Sequence, residues 1–131
     1  KNLGVEKGMV VYGQDGIDEV SLVAKTTACE IKNGVITELT INPEDYGFTL
    51  CKKDDLVGGN PQENAEIARK ILNGEKGAKR DVVLLNSGIA IYIAGKADSI
   101  SKGIEIAAQT IDSGKAKTKL EEFVKVTNEV C

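Results

Sequence analysis

Residues 26–41 place the tightest constraint on the fold: a strand-compatible, largely β-branched run interrupted once, by Asn33-Gly34. Both central positions of a type I′ turn need φ > 0, which Asn and Gly tolerate best, so the pair predicts a two-residue hairpin. That loop length sets the register. Ile31 then faces Ile36 and Cys29 faces Glu38 on one side, while Ala28 faces Leu39 on the other. The alternation is imperfect and leaves either face as the buried one. Upstream, Met9-Val10-Val11-Tyr12 closed by Gly13 predicts a buried strand that runs into the turn-rich Gly13-Gln14-Asp15-Gly16.

Downstream the periodicity changes. Asn42-Pro43 ends the second hairpin strand, because proline removes a ladder donor and forces extended geometry on its predecessor. Residues 47–59 read as irregular. Asn60 then fits a helix N-cap, with Pro61 at the first helical position, Glu63 completing a capping box and Gly74 past the last turn. This helix is expected to bury Ile67, Ala68, Ile71 and Leu72. Residues 81–94 are apolar on nearly every side. A central helix and two buried strands broken at Asn86-Ser87-Gly88 both fit, and the helix is the favoured reading. Ile100, Ile104, Ala107, Ala108 and Ile111 form one helical stripe behind Ser99 that stops at Ser113-Gly114. Ala116, Leu120, Phe123, Val124 and Thr127 form another, and the short connection predicts antiparallel packing of the two helices. Strands first and helices last, with no linker or repeat, predict one α/β domain: a few-stranded sheet with a β-hairpin, covered by carboxy-terminal helices.

Composition narrows the chemistry. The 131 residues include no histidine, which removes Ser-His-Asp triads, His-rich zinc sites and imidazole bases together. Cys29, Cys51 and Cys131 are odd in number and far apart, so they read as structural or idle thiols rather than a zinc knuckle or disulfide framework. Lys plus Arg is 17 against 20 Asp plus Glu, a net charge of −3, which argues against nucleic-acid binding. No apolar run approaches the 18 or so residues of a membrane span, and residues 1–8 hold no signal-like core, so a cytoplasmic address is expected.

The local feature with most chemical promise is the loop from Gly13 to Ser21, which ends in the adjacent carboxylates Asp18 and Glu19. Mg²⁺ takes oxygen ligands, keeps several waters, and is often held by one or two carboxylates together with substrate phosphates, so this pair suits a metal-diphosphate site. On spacing alone a solvated acidic turn is the favoured reading, and adjacent acids serve one metal only where the loop turns between them. The other candidates have plainer readings. Gly58-Gly59-Asn60-Pro61 is explained by capping, without need of an anion at the helix start. Lys76, Lys79 and Arg80 read as a solvated basic connection. Asn86 reads as a satisfied core amide. Cys51, beside Lys52 and Lys53, is expected to have a somewhat lowered pKa, but no histidine is present to activate it.

The stretch Val10-Val11-Tyr12-Gly13-Gln14-Asp15-Gly16-Ile17-Asp18-Glu19-Val20-Ser21 resembles the anthranilate phosphoribosyltransferase family, in which a strand leads into an Asp-Gly-Leu/Ile-Asp-Glu loop. Four further segments are similar to that family in the same order: Thr40-Ile41-Asn42-Pro43-Glu44-Asp45-Tyr46-Gly47, Gly58-Gly59-Asn60-Pro61-Gln62-Glu63-Asn64-Ala65, Lys79-Arg80-Asp81-Val82-Val83-Leu84-Leu85-Asn86 and Ala107-Ala108-Gln109-Thr110-Ile111-Asp112-Ser113-Gly114-Lys115-Ala116. The likeness covers essentially the whole chain. It implies transfer of 5-phosphoribosyl from phosphoribosyl diphosphate to anthranilate, in tryptophan biosynthesis. It also implies that Asp18 and Glu19 bind a Mg²⁺ ion on the leaving diphosphate.

Two departures from the family accompany the resemblance. Tyr12 stands where the family commonly has histidine. The family's amino-terminal helical region, through which its members form homodimers, its Gly-Thr-Gly-Gly-Asp diphosphate loop and its anthranilate-binding segments have no counterpart among these residues. The chain is therefore expected to be the carboxy-terminal portion of the α/β domain, inactive alone and lacking the usual dimer region. Lys1-Asn2-Leu3-Gly4 resembles the end of a family helix, so a longer gene product is expected. Two other readings stand beside this one: a non-catalytic structural piece, and a pyrimidine nucleoside phosphorylase relative, which the Asp-Gly-Ile-Asp-Glu loop disfavours.

Overall fold

The computed structural model describes residues 1–129. Cys131, one of the three thiols read as structural or idle, lies outside them. Three antiparallel strands form one open sheet in the order β1 (Lys7–Gly13), β2 (Thr26–Lys32), β3 (Val35–Ile41), and four helices follow: α1 (Pro61–Leu72), α2 (Ala78–Ile93), α3 (Ile100–Asp112) and α4 (Lys115–Glu129). Two short 3₁₀ turns, Pro43–Tyr46 and Lys53–Leu56, interrupt the connection between sheet and helices.

The hairpin has the expected register, with Ile31 opposite Ile36, Cys29 opposite Glu38 and Ala28 opposite Leu39. Asn33 and Gly34 take φ of 50° and 76°, as a type I′ turn requires. The face left open by the sequence is now decided. Ala28, Leu39 and Ile41 turn inward with Met9 and Val11 onto Leu85, Ile89 and Ile93 of α2, and Ile100 and Ile104 of α3 join the same core. The opposite face stays open, with Val10 70%, Tyr12 56% and Ile36 53% exposed, so β1, expected as a buried strand, is covered on one face only. Lys7 Nζ lies 4.1 Å above the Tyr92 ring and donates to the Tyr92 carbonyl, while the Tyr92 hydroxyl donates to Glu30 at 2.8 Å, tying the sheet to α2.

Local signals also placed the helices. Asn60 Oδ1 accepts from Glu63 N at 3.0 Å and Glu63 Oε2 from Asn60 N at 2.8 Å, the reciprocal capping box. The expected helix over residues 81–94 is α2, which begins slightly earlier, at Ala78, and ends at Ile93, with Ala94 as its C-cap. Ser99 caps α3, accepting from Lys102 N at 3.2 Å. Leu22 and Leu85 are fully enclosed, and burial of a side chain that size contributes about 1.5–3 kcal/mol.

Three expectations about the helices need correction. Ala68 is exposed, so of the four residues expected to be buried on α1 only Ile67, Ile71 and Leu72 turn partly inward. Arg80 is no solvated cation: its side chain is 3% exposed and forms a two-bonded pair with Asp112, at 2.7 and 3.0 Å. The third concerns α4. Ala116 is half-buried, but Phe123 is 63%, Val124 48% and Val126 56% exposed. The inward residues of α3, Gly103, Ile104, Ala107 and Ile111, pack against α2 and the core, which leaves no free apolar stripe for antiparallel packing of α4 along it. Among the described residues no helix is long and apolar enough to cross a membrane.

Candidate functional site

The loop after β1 begins with a tight reversal at Gly13. A Cβ there would lie 2.4 Å from Ile17 Cγ2 and 2.7 Å from Asp15 Oδ1, so any larger residue would have to displace both side chains. Gly13 N donates to the Ile17 carbonyl at 2.9 Å and Gly16 N to the Gly13 carbonyl at 2.8 Å, with Gly16 at φ 92°. Gln14 N donates to the Lys25 carbonyl at 2.8 Å, extending the β1–β2 ladder one step into the loop. The tip that carries Asp18 and Glu19 is thereby folded back over the strand that leads into it.

The far side of the loop is anchored in the core. Val20, Ser21 and Leu22 are all buried. Ser21 N donates to Thr26 Oγ1 at 2.9 Å, and Ser21 Oγ accepts from Val23 N at 2.9 Å and Ala24 N at 3.1 Å. Asn86 reaches across from α2: its Oδ1 accepts from Val20 N at 3.1 Å, and its Nδ2 donates to the Val20 carbonyl at 2.9 Å and to the Val82 carbonyl at 3.0 Å. Asn86 is hydrogen-bonded as expected, though half-buried rather than enclosed in the core. Its partner, the backbone directly after Glu19, was not legible, because the two lie 66 positions apart.

Asp18 and Glu19 are exposed at this tip. Asp15, on the inner side of the same turn, has one carboxylate oxygen buried without a hydrogen-bond partner among the described residues. No group of three or more metal-ligating side chains is assembled among the described residues. What the loop offers is two exposed carboxylates, hard oxygen donors, on an anchored backbone. It suits a cation that takes its remaining ligands from water and a bound phosphate, as Mg²⁺ does, and does not suit a fully protein-caged ion.

The remaining candidates stay outside this chemistry. Burial is the main effect on Cys51, with Asp55 next, and together they push its thiol up; Lys52 and Lys53 do not lower it as expected. Cys29 and Cys51 are both free thiols. At Gly58-Gly59, Asn64 Oδ1 accepts from Gly59 N at 2.8 Å and Asn64 Nδ2 donates to the Gly59 carbonyl at 2.9 Å, so the first helix turn itself occupies this backbone. A cavity of about 530 Å³ between α1 and the start of α2 is lined by Asp55, Ile67, Lys70, Ile71 and Arg80, not by Asp18 or Glu19.

A family model described as "Glycosyl transferase family, a/b domain" matches residues 1–117. An anthranilate phosphoribosyltransferase of Methanobrevibacter smithii is 56% identical over 128 residues, which are 98% of this chain and 38% of that protein. The crystal structure of anthranilate phosphoribosyltransferase from Thermus thermophilus superposes with a TM-score of 0.85 at 36% identity, covering 95% of this chain and 36% of that one. The Saccharomyces cerevisiae enzyme, solved in complex with PRPP and Mg and also with 4-fluoroanthranilate, has a TM-score of 0.85 at 26% identity, covering 94% of this chain and 36% of that one. The chain spans little more than a third of the length of the relatives it matches. With the family model covering most of its residues, the chain belongs to the glycosyl transferase family, in the a/b domain.

Proposed function

We propose that this chain supplies the metal-binding part of an anthranilate phosphoribosyltransferase, which moves 5-phosphoribosyl from phosphoribosyl diphosphate to the amine of anthranilate. The observation that carries the reading is the Asp18-Glu19 pair, exposed on a loop whose next residue, Val20, is buried and held on both backbone groups by Asn86. Mg²⁺ held there would neutralise charge on the departing diphosphate oxygens. Asp18 and Glu19 would provide its protein ligands. In this reading the chain is the carboxy-terminal portion of the α/β domain, and the helical region, the Gly-rich diphosphate loop and the anthranilate contacts lie on the rest of the enzyme.

The chemistry calls for no histidine among these residues. An aromatic amine attacking an anomeric carbon as diphosphate leaves requires positioning and charge stabilisation more than a strong general base. An anchored loop presenting two carboxylates answers the first demand, because its backbone needs no reordering when the diphosphate arrives.

The test is a chimaera of the Methanobrevibacter smithii enzyme in which this chain replaces the matching segment. Loss of anthranilate fluorescence with phosphoribosyl diphosphate and Mg²⁺ is the expected outcome. Release of free base from thymidine or uridine with phosphate, and no anthranilate consumption, would assign the chain to nucleoside phosphorolysis instead.

A further inference from the structure

We infer that Asn86 is a positioning residue for Asp18 and Glu19, an inference that rests on the proposed metal role of that pair. Its carboxamide treats Val20 as a neighbouring strand would: one oxygen accepts from Val20 N at 3.1 Å and one nitrogen donates to the Val20 carbonyl at 2.9 Å. Val20 is 2% exposed, so these backbone groups have no water to turn to, and the two bonds fix the peptides on either side of Val20, the first of which joins it to Glu19. The third bond, from Nδ2 to the Val82 carbonyl at 3.0 Å, fixes the amide's own orientation on α2. All of the amide's hydrogen-bonding capacity but one acceptor site is thereby spent, and two of three bonds go to the residue beside the acidic pair.

The rest of the loop root does not duplicate this hold. Ser21 bonds locally to Thr26, Val23 and Ala24, within the same loop and the start of β2. Leu22 accepts through its carbonyl from Cys51 N at 3.2 Å, one residue further from the carboxylates. Asn86 is the side chain that refers the position of Glu19 to the helix layer. Partners that orient metal ligands from behind carry roughly 10–100-fold of metal affinity or activity, and Asn86 stands in that relation to Asp18 and Glu19 through the Val20 peptide.

The experiment measures the Mg²⁺ concentration for half-maximal turnover, and Tm, for the chimaera and four variants. Asn86→Ser keeps a hydroxyl that can bond back to the Val82 carbonyl four residues earlier but cannot span to Val20. Asn86→Asp keeps an acceptor for Val20 N and sets an oxygen against the Val20 carbonyl, and remains informative if the serine variant fails to fold. Leu84→Ala is the control for general destabilisation, a core truncation on the same helix. Asp18→Asn reports on the metal role itself. The expected result is a rise of roughly tenfold or more in the Mg²⁺ requirement for Asp18→Asn and for both Asn86 variants, with Leu84→Ala changing Tm alone. Asn86 variants that behave like Leu84→Ala while Asp18→Asn raises the requirement would overturn the positioning role and leave the proposed function standing. An unchanged requirement in Asp18→Asn would overturn both.

Discussion

Gly88 and Gly103 touch at the crossing of α2 and α3: a Cβ on Gly103 would lie 2.1 Å from the Gly88 carbonyl oxygen, and one on Gly88 would lie 2.7 Å from Ile104 N. Both obstacles are backbone and cannot rotate away. The two helices therefore approach as closely as their main chains allow, and Asn86, half a turn before Gly88, is carried at a fixed height above the loop it clamps.

Gly103→Ala should consequently separate the helices. Overpacking of this kind costs typically 1–3 kcal/mol, and here the upper part of that range is expected because a carbonyl has to move. Urea unfolding of the chain measures it, with Gly16→Ala as a comparison. Gly16 has open space around its missing Cβ, so its cost is confined to the strain of φ 92° in one exposed turn.

The Arg80–Asp112 pair predicts a pH dependence. The hydrogen bond from Arg80 holds the Asp112 carboxyl below its ordinary 3.8. A carboxyl lowered on folding contributes stability that is complete above the unfolded value and is lost as pH falls through the folded one. Asp81 works in the opposite sense, since burial raises its pKa and its contribution fades as pH rises through the folded value. The Tm difference between the chain and Asp112→Asn isolates the pair: it should be constant near neutrality and shrink as pH drops below about 3.8. A difference that persisted undiminished under acid would contradict the pairing.

Helix α4 predicts tolerance. With Phe123 63% exposed, Phe123→Ser should change stability by no more than about 0.5 kcal/mol, as for ordinary surface sites. A loss of about 3 kcal/mol, typical of an enclosed phenylalanine, would restore the antiparallel helix pair.

These elements differ in how far the sequence revealed them. Asn33-Gly34, the Asn60/Glu63 box and the Ser99 cap act through residues two to four apart, where residue type dictates geometry directly, and their elements form as the pattern says. The amphipathic stripe of α4 has the same local clarity, yet a stripe states only that an apolar face exists and not that a neighbour has one to spare. Arg80 read as one of three cations because its acceptor lies 32 positions away. The carboxylate pair was visible as a motif, whereas the anchoring of its loop depends on Asn86, a residue of α2 far away in the sequence.

Turnover by this chain in isolation is predicted to be undetectable, because the diphosphate cradle and the anthranilate contacts of the proposed enzyme lie on other residues. Misplacement of one reactant already costs about a hundredfold. Anthranilate fluorescence with excess phosphoribosyl diphosphate and Mg²⁺ checks this, and activity comparable to the Methanobrevibacter smithii enzyme would refute it.

The measurement closest to the central claim is the Mg²⁺ dependence of the chimaera carrying Asp18→Asn together with Glu19→Gln, read beside its melting curve. Both substitutions keep side-chain shape and remove the charge a hard cation needs. Because both residues are exposed, stability should move by no more than roughly 0.5 kcal/mol while turnover falls and the Mg²⁺ requirement rises. An unchanged rate and Mg²⁺ dependence with a lowered Tm would contradict the metal role and leave the loop a structural turn.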